Sequence, residues 1–270
     1  MKDLLLVTDL DHTLVGDRHA LARLNHTLRT LRSRIHLVYA TGRSLAGARQ
    51  LQQEEDLLEP EGWATGVGSA LLWCGQPDLA WDRQLQRHWD RPALSALLSG
   101  WSGLILQPAS EQTPYKLSYE LVKPRVGTEE AHQFEQHLRA TLRQADLQAQ
   151  VVFSSGHQLD LLPPAAGKGA VSGYLQQKLG LRPDQVLCCG DSGNDRSMLG
   201  GPWWGVMVSN ARPELLDWWR RVRPATLLRS HHHHAGAILH ALTTLPLLAE
   251  HSADPTAPAG NGDTSGYSVH

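Results

Sequence analysis

Cysteine is scarce in this sequence of 270 residues, which contains three. Cys74 stands alone, and Cys188 and Cys189 are adjacent within an apolar run. This arrangement does not provide a disulfide framework, and such low cysteine usage is typical of a reducing cytoplasm. We expect the adjacent pair to act as small apolar side chains in a core strand.

An excess of charge of one sign and a long hydrophobic run are also missing. The 25 basic residues nearly balance the 27 acidic ones, which argues against a nucleic-acid surface or a polybasic membrane patch and favours a small solute as the partner. No run approaches the roughly 20 apolar residues of a membrane span, and the N-terminal apolar stretch is too short for a signal peptide. We therefore expect a soluble, cytoplasmic protein, and we expect it to be a monomer.

Short apolar runs alternate with helical periodicity in two parts of the chain. The first part has a run at 4–7, leucines spaced by three and four over 21–31, and a second run at 36–40. The second part has runs at 159–162, 186–189 and 205–208, with a helical segment at 168–179. Strands that alternate with helices favour a parallel sheet covered by helices, which predicts the α/β class.

The middle of the chain has a different pattern. Short strand-like runs at 104–107, 116–122 and 150–153 surround a polar helical segment at 129–143. This predicts a small α+β unit inserted into the parallel-sheet domain, with core residues 1–79, insert 80–156 and core 157–244. Residues 245–270 include a stretch rich in Pro, Gly, Ala and Ser from Ser252 onward, and we expect this tail to be disordered.

Two acids follow the first predicted strand. Asp9 and Asp11 stand two residues apart, so both side chains point to the same side at the strand's carboxyl end. Open α/β sheets bind their ligands at that edge. Two such charges repel unless a cation lies between them or one takes a proton, which indicates a metal site or an acid/base pair. The plainer alternative is a helix cap at Asp11 and an exposed loop at Asp9.

Three further groups should reach the same edge. Thr41 and Gly42 offer a hydroxyl and a backbone N–H for a phosphate oxygen, although the segment could simply be a helix N-cap. Lys168 stands at a helix start, where a lysine is usually just solvated. The turn after the run 186–189 is more specific, because Asp191, Asn194 and Asp195 concentrate the oxygen ligands that a hard cation such as Mg²⁺ prefers.

These segments together resemble a known superfamily. The motifs at 9–13, 39–43, Lys168 and 190–195 resemble, in order, the four motifs of phosphatases of the haloacid dehalogenase superfamily. Longer stretches at 7–17, 106–119, 154–163 and 205–216 are similar to the sucrose-phosphate phosphatase family, and the resemblance extends to about residue 244. It implies a Rossmann-like core of the haloacid dehalogenase type with an inserted α+β cap. It also implies a Mg²⁺-dependent hydrolysis of sucrose 6-phosphate, the last step of sucrose synthesis.

The resemblance also implies roles for individual residues. Asp9 is the expected nucleophile, which forms an aspartyl-phosphate, and Asp11 is the expected general acid/base. The expected phosphate ligands are Thr41, Gly42, Lys168 and Asn194. The expected Mg²⁺ ligands are Asp9, Asp191, Asp195 and the backbone carbonyl of Asp11.

Substrate specificity is expected from the cap, since the four core motifs recognise only phosphate and metal. Glu111, Gln112 and Lys116 are candidates to hydrogen-bond sugar hydroxyls. The residues alone favour a plainer interpretation, a Pro114 turn that leads into an ordinary strand. Trp81, Trp89 and Trp101 could stack on a sugar ring, but we expect them to pack between cap and core.

Other functions remain open at this stage. The same machinery could hydrolyse mannosylfructose phosphate or glucosylglycerol phosphate, and the chain could instead be a binding subunit of a sucrose-phosphate synthase. Association with that synthase could also coexist with catalysis. The run of histidines at 231–234 resembles a metal tract, but consecutive residues do not converge on one ion, and we expect a solvated helix start.

Overall fold

The computed structural model describes residues 2–122, 129–154 and 157–247. Within these ranges the chain forms twelve strands and nine α-helices. The strands are β1 (Leu4–Thr8), β2 (Ile35–Ala40), β3 (Gly62–Thr65), β4 (Ala70–Trp73), β5 (Gln76–Pro77), β6 (Leu104–Leu106), β7 (Leu117–Leu121), β8 (Gln150–Ser154), β9 (Gln158–Leu162), β10 (Val186–Gly190), β11 (Trp204–Met207) and β12 (Leu227–Arg229). The helices are α1 (Arg18–Thr30), α2 (Leu45–Glu54), α3 (Leu79–Leu85), α4 (Arg91–Leu98), α5 (Glu129–Gln144), α6 (Lys168–Lys178), α7 (Arg196–Leu199), α8 (Pro213–Val222) and α9 (His234–Thr244).

The larger sheet has eight strands in the order β12-β11-β10-β1-β2-β3-β4-β5. Neighbours from β12 to β3 run parallel, and β4 and β5 pair antiparallel at one edge. Because β1 lies between β10 and β2, the residues that follow these three strands emerge at the same edge of the sheet. The predicted α/β class with a parallel-sheet core is confirmed.

Local sequence accounts for the elements nearest this edge. All five residues of β1 are buried, as expected for a strand that is covered on both faces. In α1, the buried residues Leu21, Leu24 and Leu28 recur every three or four positions, which is the period of one helix face. Asp17 caps this helix by accepting a hydrogen bond from the backbone N–H of Ala20. The last described helix, α9, packs against α1.

The smaller sheet is antiparallel, with the order β6-β7-β9-β8. Together with α4 and α5 it encloses a second apolar core. This core contains Leu94, Leu98, Leu117, Tyr119, Leu138, Leu142, Val151, Leu159 and Leu161. The α+β unit expected in the middle of the chain is therefore present, although the exact boundaries of the insert stay predictions.

One strand lies in a different sheet from the expected one. The apolar run 159–162, which we expected in the parallel core, belongs to β9 of the smaller sheet. The run is not continuously apolar, because Asp160 separates Leu159 from Leu161. Such alternation is typical of an antiparallel strand with one apolar face, and the expectation of a parallel core strand did not take it into account. Leu159 and Leu161 pack into the second core, whereas Leu162 packs into the core of the larger sheet.

Of the tail predicted at 245–270, residues 248–270 lie outside the described residues. In the part of the chain that the structure describes, no helix is both long enough and apolar enough to cross a membrane.

Candidate active site

Side chains from three neighbouring strand ends meet at the carboxyl edge of the larger sheet. Asp9 follows β1, Thr41 follows β2, and Asp191 follows β10. Asp9, Thr41 and Asp191 are buried. The parallel pairing of β1 with β2 and with β10 therefore brings the predicted acid, hydroxyl and turn motifs together.

Lys168 lies at the centre of this group. It is the first residue of α6, and Gly167 before it has a φ of 114°, a conformation that favours glycine. The Lys168 ammonium is fully buried and lies 2.6 Å from Asp9 Oδ1 and 2.6 Å from Asp195 Oδ1. Burial by itself lowers the pKa of Lys168, but the two carboxylates outweigh burial and raise the pKa above its usual value. Lys168 is therefore a permanent buried cation.

The acids around Lys168 are crowded. Asp9, Asp191 and Asp195 each offer a carboxylate oxygen within 4.8 Å of the other two. Burial raises the pKa of Asp9, as does the nearby Asp195, although Lys168 acts in the opposite direction. Burial likewise raises the pKa of Asp191, with further contributions from Asp9 and Asp195. Three buried carboxylates this close together form an oxygen donor set suited to a hard divalent cation.

The three acids are not equivalent. Both oxygens of Asp195 already have partners, because Oδ1 accepts from Lys168 and Oδ2 accepts from the backbone N–H groups of Asp191 and Ser192, both at 2.9 Å. Asp195 therefore shapes the turn and holds Lys168. Asp191 is less constrained, since its Oδ1 accepts one long bond of 3.3 Å from Thr13 Oγ1 and its Oδ2 lies 3.8 Å from Arg212 Nε.

Asp11 stands apart from the metal-type cluster. Both of its carboxylate oxygens accept hydrogen bonds of 2.7 Å from Arg43, one from Nε and one from a terminal nitrogen. This two-point contact fixes the plane of the Asp11 carboxylate. Thr41 Oγ1 accepts from the backbone N–H of Arg43 at 3.1 Å, so the segment after β2 orients both groups.

A cavity of about 300 Å³ opens from this edge toward the smaller sheet. Its lining is mostly polar and comes from both sheets. The residues that line it are Asp9, Asp11, His12, Gly42, Arg43, Gln107, Glu111, Lys116, Ser118, Gln158, Asp160, Asp191, Ser192, Asn194 and Arg212. A polar cavity of this size suits a small hydroxyl-rich solute with an anionic end.

The wall formed by the smaller sheet contains a buried ion pair. Lys116 Nζ lies 3.7 Å from Asp160 Oδ1, and both side chains are more than 90% buried. Ser118 Oγ donates to the same Asp160 oxygen at 2.5 Å and lies 3.2 Å from Gln107 Oε1. Buried polar groups of this kind are satisfied either by one another or by a ligand.

The predicted sugar-contact residues have different surroundings. Glu111 and Lys116 line the cavity. The Gln112 side chain instead bonds to the backbone of the smaller sheet, donating to Gln107 O and Ser118 O and accepting from Ser118 N. These bonds use both ends of its amide, so Gln112 holds the strand that carries Ser118.

The three tryptophans considered as sugar platforms make packing contacts. Trp81 is buried in the core of the larger sheet, and its Nε1 donates to Gly68 O at 3.1 Å. Trp89 Nε1 donates to Pro114 O at 2.8 Å. Trp101 packs edge-on against Phe134 at 5.7 Å between ring centroids. None of the three is among the residues that line the described cavity.

Sequence reasoning missed several cavity residues. Arg43 and His12 lie within recognised motifs but received no role. Arg212 lies within the similar stretch 205–216 and received none either. Asp160 did carry a signal, because an acid in the middle of an apolar strand must find a partner when it is buried.

The histidines at 231–234 agree only in part with the expected solvated helix start. The first three are exposed as expected, but His234 is half-buried, and its ring contacts the loop after β1.

Comparisons with known proteins agree with this geometry. The family model of sucrose-6F-phosphate phosphohydrolases matches residues 2–245. The sucrose-phosphatase of Synechocystis sp. PCC6803, solved in complex with sucrose and phosphate, is 41% identical with a TM-score of 0.86, covering 92% of this chain and 100% of that chain.

Curated relatives give the same family. Sucrose-phosphatase 1 of Nicotiana tabacum is 36% identical over 227 residues, which cover 80% of this chain and 52% of that protein. This chain thus spans about half the length of the plant relatives it matches. The mannosylfructose-phosphate phosphatase of Agrobacterium fabrum is 33% identical over 218 residues, which cover 79% of this chain and 86% of that protein. The predicted family is confirmed: this chain belongs to the sucrose-6F-phosphate phosphohydrolase family.

Proposed function

We propose that this chain is a Mg²⁺-dependent phosphatase that hydrolyses sucrose 6-phosphate to sucrose and phosphate. The observation that carries the proposal is the contact of buried Lys168 with Asp9 and Asp195 at one end of a polar cavity. The smaller sheet lines the other end with hydrogen-bonding groups. The Synechocystis relative, which binds sucrose and phosphate, supports the choice of substrate.

Mg²⁺ is the cofactor that the donor set fits. The candidate ligands Asp9, Asp191 and Asp195 offer only oxygen atoms, and the backbone carbonyl of Asp11 would add a neutral oxygen. Because both oxygens of Asp195 are already bonded, Asp9 and Asp191 are the more available carboxylates. When bound, Mg²⁺ supplies positive charge beside the phosphate oxygens and so reduces their repulsion of a carboxylate.

Asp9 is the proposed nucleophile. Lys168 holds Asp9 Oδ1, which leaves Oδ2 to attack phosphorus. A bond forms between Asp9 Oδ2 and phosphorus while the bond from phosphorus to the sugar oxygen breaks, and water then cleaves the aspartyl-phosphate. The proposed ligands of the phosphate oxygens are Thr41, Gly42, Lys168 and Asn194, of which Gly42 and Asn194 line the cavity.

Asp11 is the proposed general acid/base. The departing sugar oxygen needs a proton in the first step, and the attacking water loses a proton in the second. Asp11 lies on the loop after β1, lines the cavity, and is oriented by Arg43, so one carboxyl group can serve both steps.

Sugar recognition is assigned to the wall formed by the smaller sheet. Lys116 and Glu111 offer a cation and a carboxylate to sugar hydroxyls, and Asp160 can turn from Lys116 to a hydroxyl donor. Gln112 contributes indirectly by holding Ser118 in place. A site built from paired polar groups rejects substrates that lack the matching hydroxyls.

Phosphate release from a panel of substrates tests the proposal. The panel contains sucrose 6-phosphate, mannosylfructose phosphate, glucosylglycerol phosphate, glucose 6-phosphate and fructose 6-phosphate, each assayed with Mg²⁺ and with chelator. We expect metal-dependent release with a strong preference for sucrose 6-phosphate. A preference for another member would retain the Asp9 chemistry and overturn the substrate, whereas no release from any member would favour a binding subunit.

Mannosylfructose phosphate is the second candidate substrate, because the Agrobacterium relative is similar to this chain over most of both lengths. Glucosylglycerol phosphate has no such support. Association with a sucrose-phosphate synthase, the monomeric state and the cytoplasmic location stay predictions.

A further inference from the structure

The loop after β1 is held from outside by two side chains from distant parts of the chain. The carbonyl oxygen of His12 accepts a hydrogen bond of 2.7 Å from Asn210 Nδ2 and one of 2.9 Å from His234 Nδ1. These two bonds match the two lone pairs of the carbonyl. Asn210 Oδ1 in turn accepts from the backbone N–H of His234 at 3.1 Å, which closes the arrangement. We call these three residues the His12 clamp.

Two members of the His12 clamp have an unusual backbone. His12 has a φ of 59° and His234 a φ of 49°. The left-handed region is disfavoured by roughly 1–2 kcal/mol for residues with a Cβ atom. Such conformations persist only where the surroundings impose them, and they concentrate at functional sites. The hydrogen bonds of the clamp join these two residues directly.

Gly16 fits around the His234 ring. Its φ is 130°, and a Cβ atom at this position would overlap the imidazole. The loop therefore contacts the ring twice, at the His12 carbonyl and again at Gly16. An imidazole held from both sides has little freedom to turn away.

The clamped loop carries catalytic groups. The carbonyl of Leu10 accepts from the backbone N–H groups of Thr13, Leu14 and Val15, which makes the loop a compact turn. Asp11 lies within this turn next to His12, and Thr13 Oγ1 donates to Asp191 Oδ1. A shift of the His12 carbonyl would therefore move Asp11 relative to Asp9 and Asp191.

We propose that His234 and Asn210 are positioning residues for the general acid/base, and that they act on Asp11 through the carbonyl of His12. This inference rests on the proposed function, because it assigns the role through Asp11. It also distinguishes His234 from the three exposed histidines that precede it in the 231–234 run. Neither side chain contacts the substrate in this role.

The decisive variant is His234→Gly, which tolerates the left-handed backbone and removes the donor. With sucrose 6-phosphate we expect kcat/KM to fall by about 10- to 100-fold, while KM changes little. A well-placed general acid contributes a rate enhancement of about 10²- to 10⁴-fold, and a misplaced acid should lose part of it. With 4-nitrophenyl phosphate, whose leaving group needs no proton, we expect kcat/KM to change little. Asn210→Ala should reproduce this pattern, and the double variant should lose less than the product of the two effects.

Two further variants complete the set. His234→Asn retains a side-chain donor and tolerates the left-handed region, so it should recover part of the lost kcat/KM. His231→Ala removes an exposed histidine from the same run and should behave as wild type.

Amide hydrogen exchange provides a readout that does not depend on turnover. At unchanged Tm, residues 10–15 of His234→Gly should exchange faster than those of wild type, while the strands of the larger sheet should not change. Wild-type kcat/KM in His234→Gly would overturn the inference, as would an equal loss on both substrates with a lowered Tm. If the wild-type enzyme releases no phosphate from any sugar phosphate, the proposed function fails, and unchanged exchange at residues 10–15 would separately show that the clamp does not hold the loop.

Discussion

Lys168 shows how one buried residue organises a site. Its ammonium is completely enclosed and bonds two carboxylates that come from different segments of the chain. Removing a cation from such a group leaves carboxylates buried without compensation, which typically destabilises a protein by about 3–5 kcal/mol. The residue proposed to bind phosphate therefore also stabilises the fold.

Lys168→Met is predicted to lower the free energy of unfolding by about 3–5 kcal/mol, because Asp9 and Asp195 lose their shared cation. Urea unfolding measures the change. The matched control is the double variant Lys168→Met/Asp195→Asn. It removes one of the two carboxylates left without a cation, while the Asn oxygen can still accept from the backbone N–H groups of Asp191 and Ser192. Recovery of part of the loss is expected, and a double variant no more stable than the single one would contradict this account.

The two acids of the first motif are predicted to fail in different ways. Asp9→Asn removes the nucleophile and should reduce kcat to about one percent of wild type or less, within the range expected when an essential nucleophile is lost. Asp11→Asn should slow both half-reactions but retain Mg²⁺ binding, since the proposed ligand at residue 11 is its backbone carbonyl. Rapid-quench kinetics and calorimetric Mg²⁺ titration separate these outcomes. Loss of Mg²⁺ binding in Asp11→Asn would contradict the assignment.

The sequence predicted which residues meet at the site when they directly follow strands of the same parallel sheet. Asp9, Thr41 and Asp191 follow three strands that are adjacent in the sheet, and the parallel arrangement alone brings them together. The two hydrogen bonds from Arg43 to Asp11 and the ion pair between Lys116 and Asp160 were not predictable from the sequence. These contacts depend on side-chain directions across separate elements, which no local pattern encodes.

At the level of elements, Asp78 joins two helices of the larger core. It caps the start of α3 by accepting from the backbone N–H groups of Ala80 and Trp81. It also accepts a 2.8 Å hydrogen bond from the Tyr174 hydroxyl and forms an ion pair with Lys178, both in α6. Burial raises the pKa of Asp78, but the hydrogen bonds from Lys178, Tyr174 and the cap outweigh burial, so the pKa lies below its usual value.

Asp78→Ala is predicted to lower the free energy of unfolding by about 2 kcal/mol, which is at the upper end for loss of a cap. Asp78→Asn should lose less, because it retains a cap acceptor. Since the folded pKa of Asp78 is lowered, its ionic contribution is fully present above the unfolded pKa of about 3.9 and is lost as the pH falls through the folded value. The difference in stability between wild type and Asp78→Asn should therefore shrink below about pH 4 in urea titrations. A constant difference down to pH 2 would contradict this linkage.

β9 shows why strand assignment was easier than sheet assignment. The run 159–162 is apolar enough to be recognised as a buried strand, and a strand is present there. The sheet to which it belongs depends on pairing with β7 and β8, which come from distant parts of the sequence. The apolar pattern of a segment indicates that it is buried, but it does not indicate which strands it pairs with.

At the level of the whole molecule, the proposed function assigns separate tasks to two walls of the cavity. The edge of the larger sheet supplies Asp9, Asp191 and Asn194, and the smaller sheet supplies Lys116 and Asp160. In the proposed function, phosphate chemistry and sugar recognition therefore lie on different sheets. A change in one wall should leave the other wall's task largely intact.

Lys116→Gln is predicted to raise KM for sucrose 6-phosphate by about 10- to 100-fold, because a hydrogen bond from a charged donor typically contributes about 1.5–3 kcal/mol. The Gln side chain keeps a polar donor and much of the volume of the lysine, which limits the effect on folding. kcat/KM for 4-nitrophenyl phosphate should change little, since this substrate has no sugar. Lys178→Met, which removes a lysine from α6 outside the cavity lining, serves as the control. An equal loss on both substrates would assign Lys116 to the phosphate end.

The central position of β1 constrains the order in which the chain folds during synthesis. β1 is made long before its neighbour β10, which begins at Val186. The smaller sheet, whose strands all lie between these two in sequence, can pair completely while one side of β1 still has no partner. The growing chain must therefore keep an apolar strand from wrong pairing until β10 has left the ribosome. The His12 clamp closes later still, when His234 emerges. The proposed positioning of Asp11 is consequently completed only after the sheet around β1 has formed.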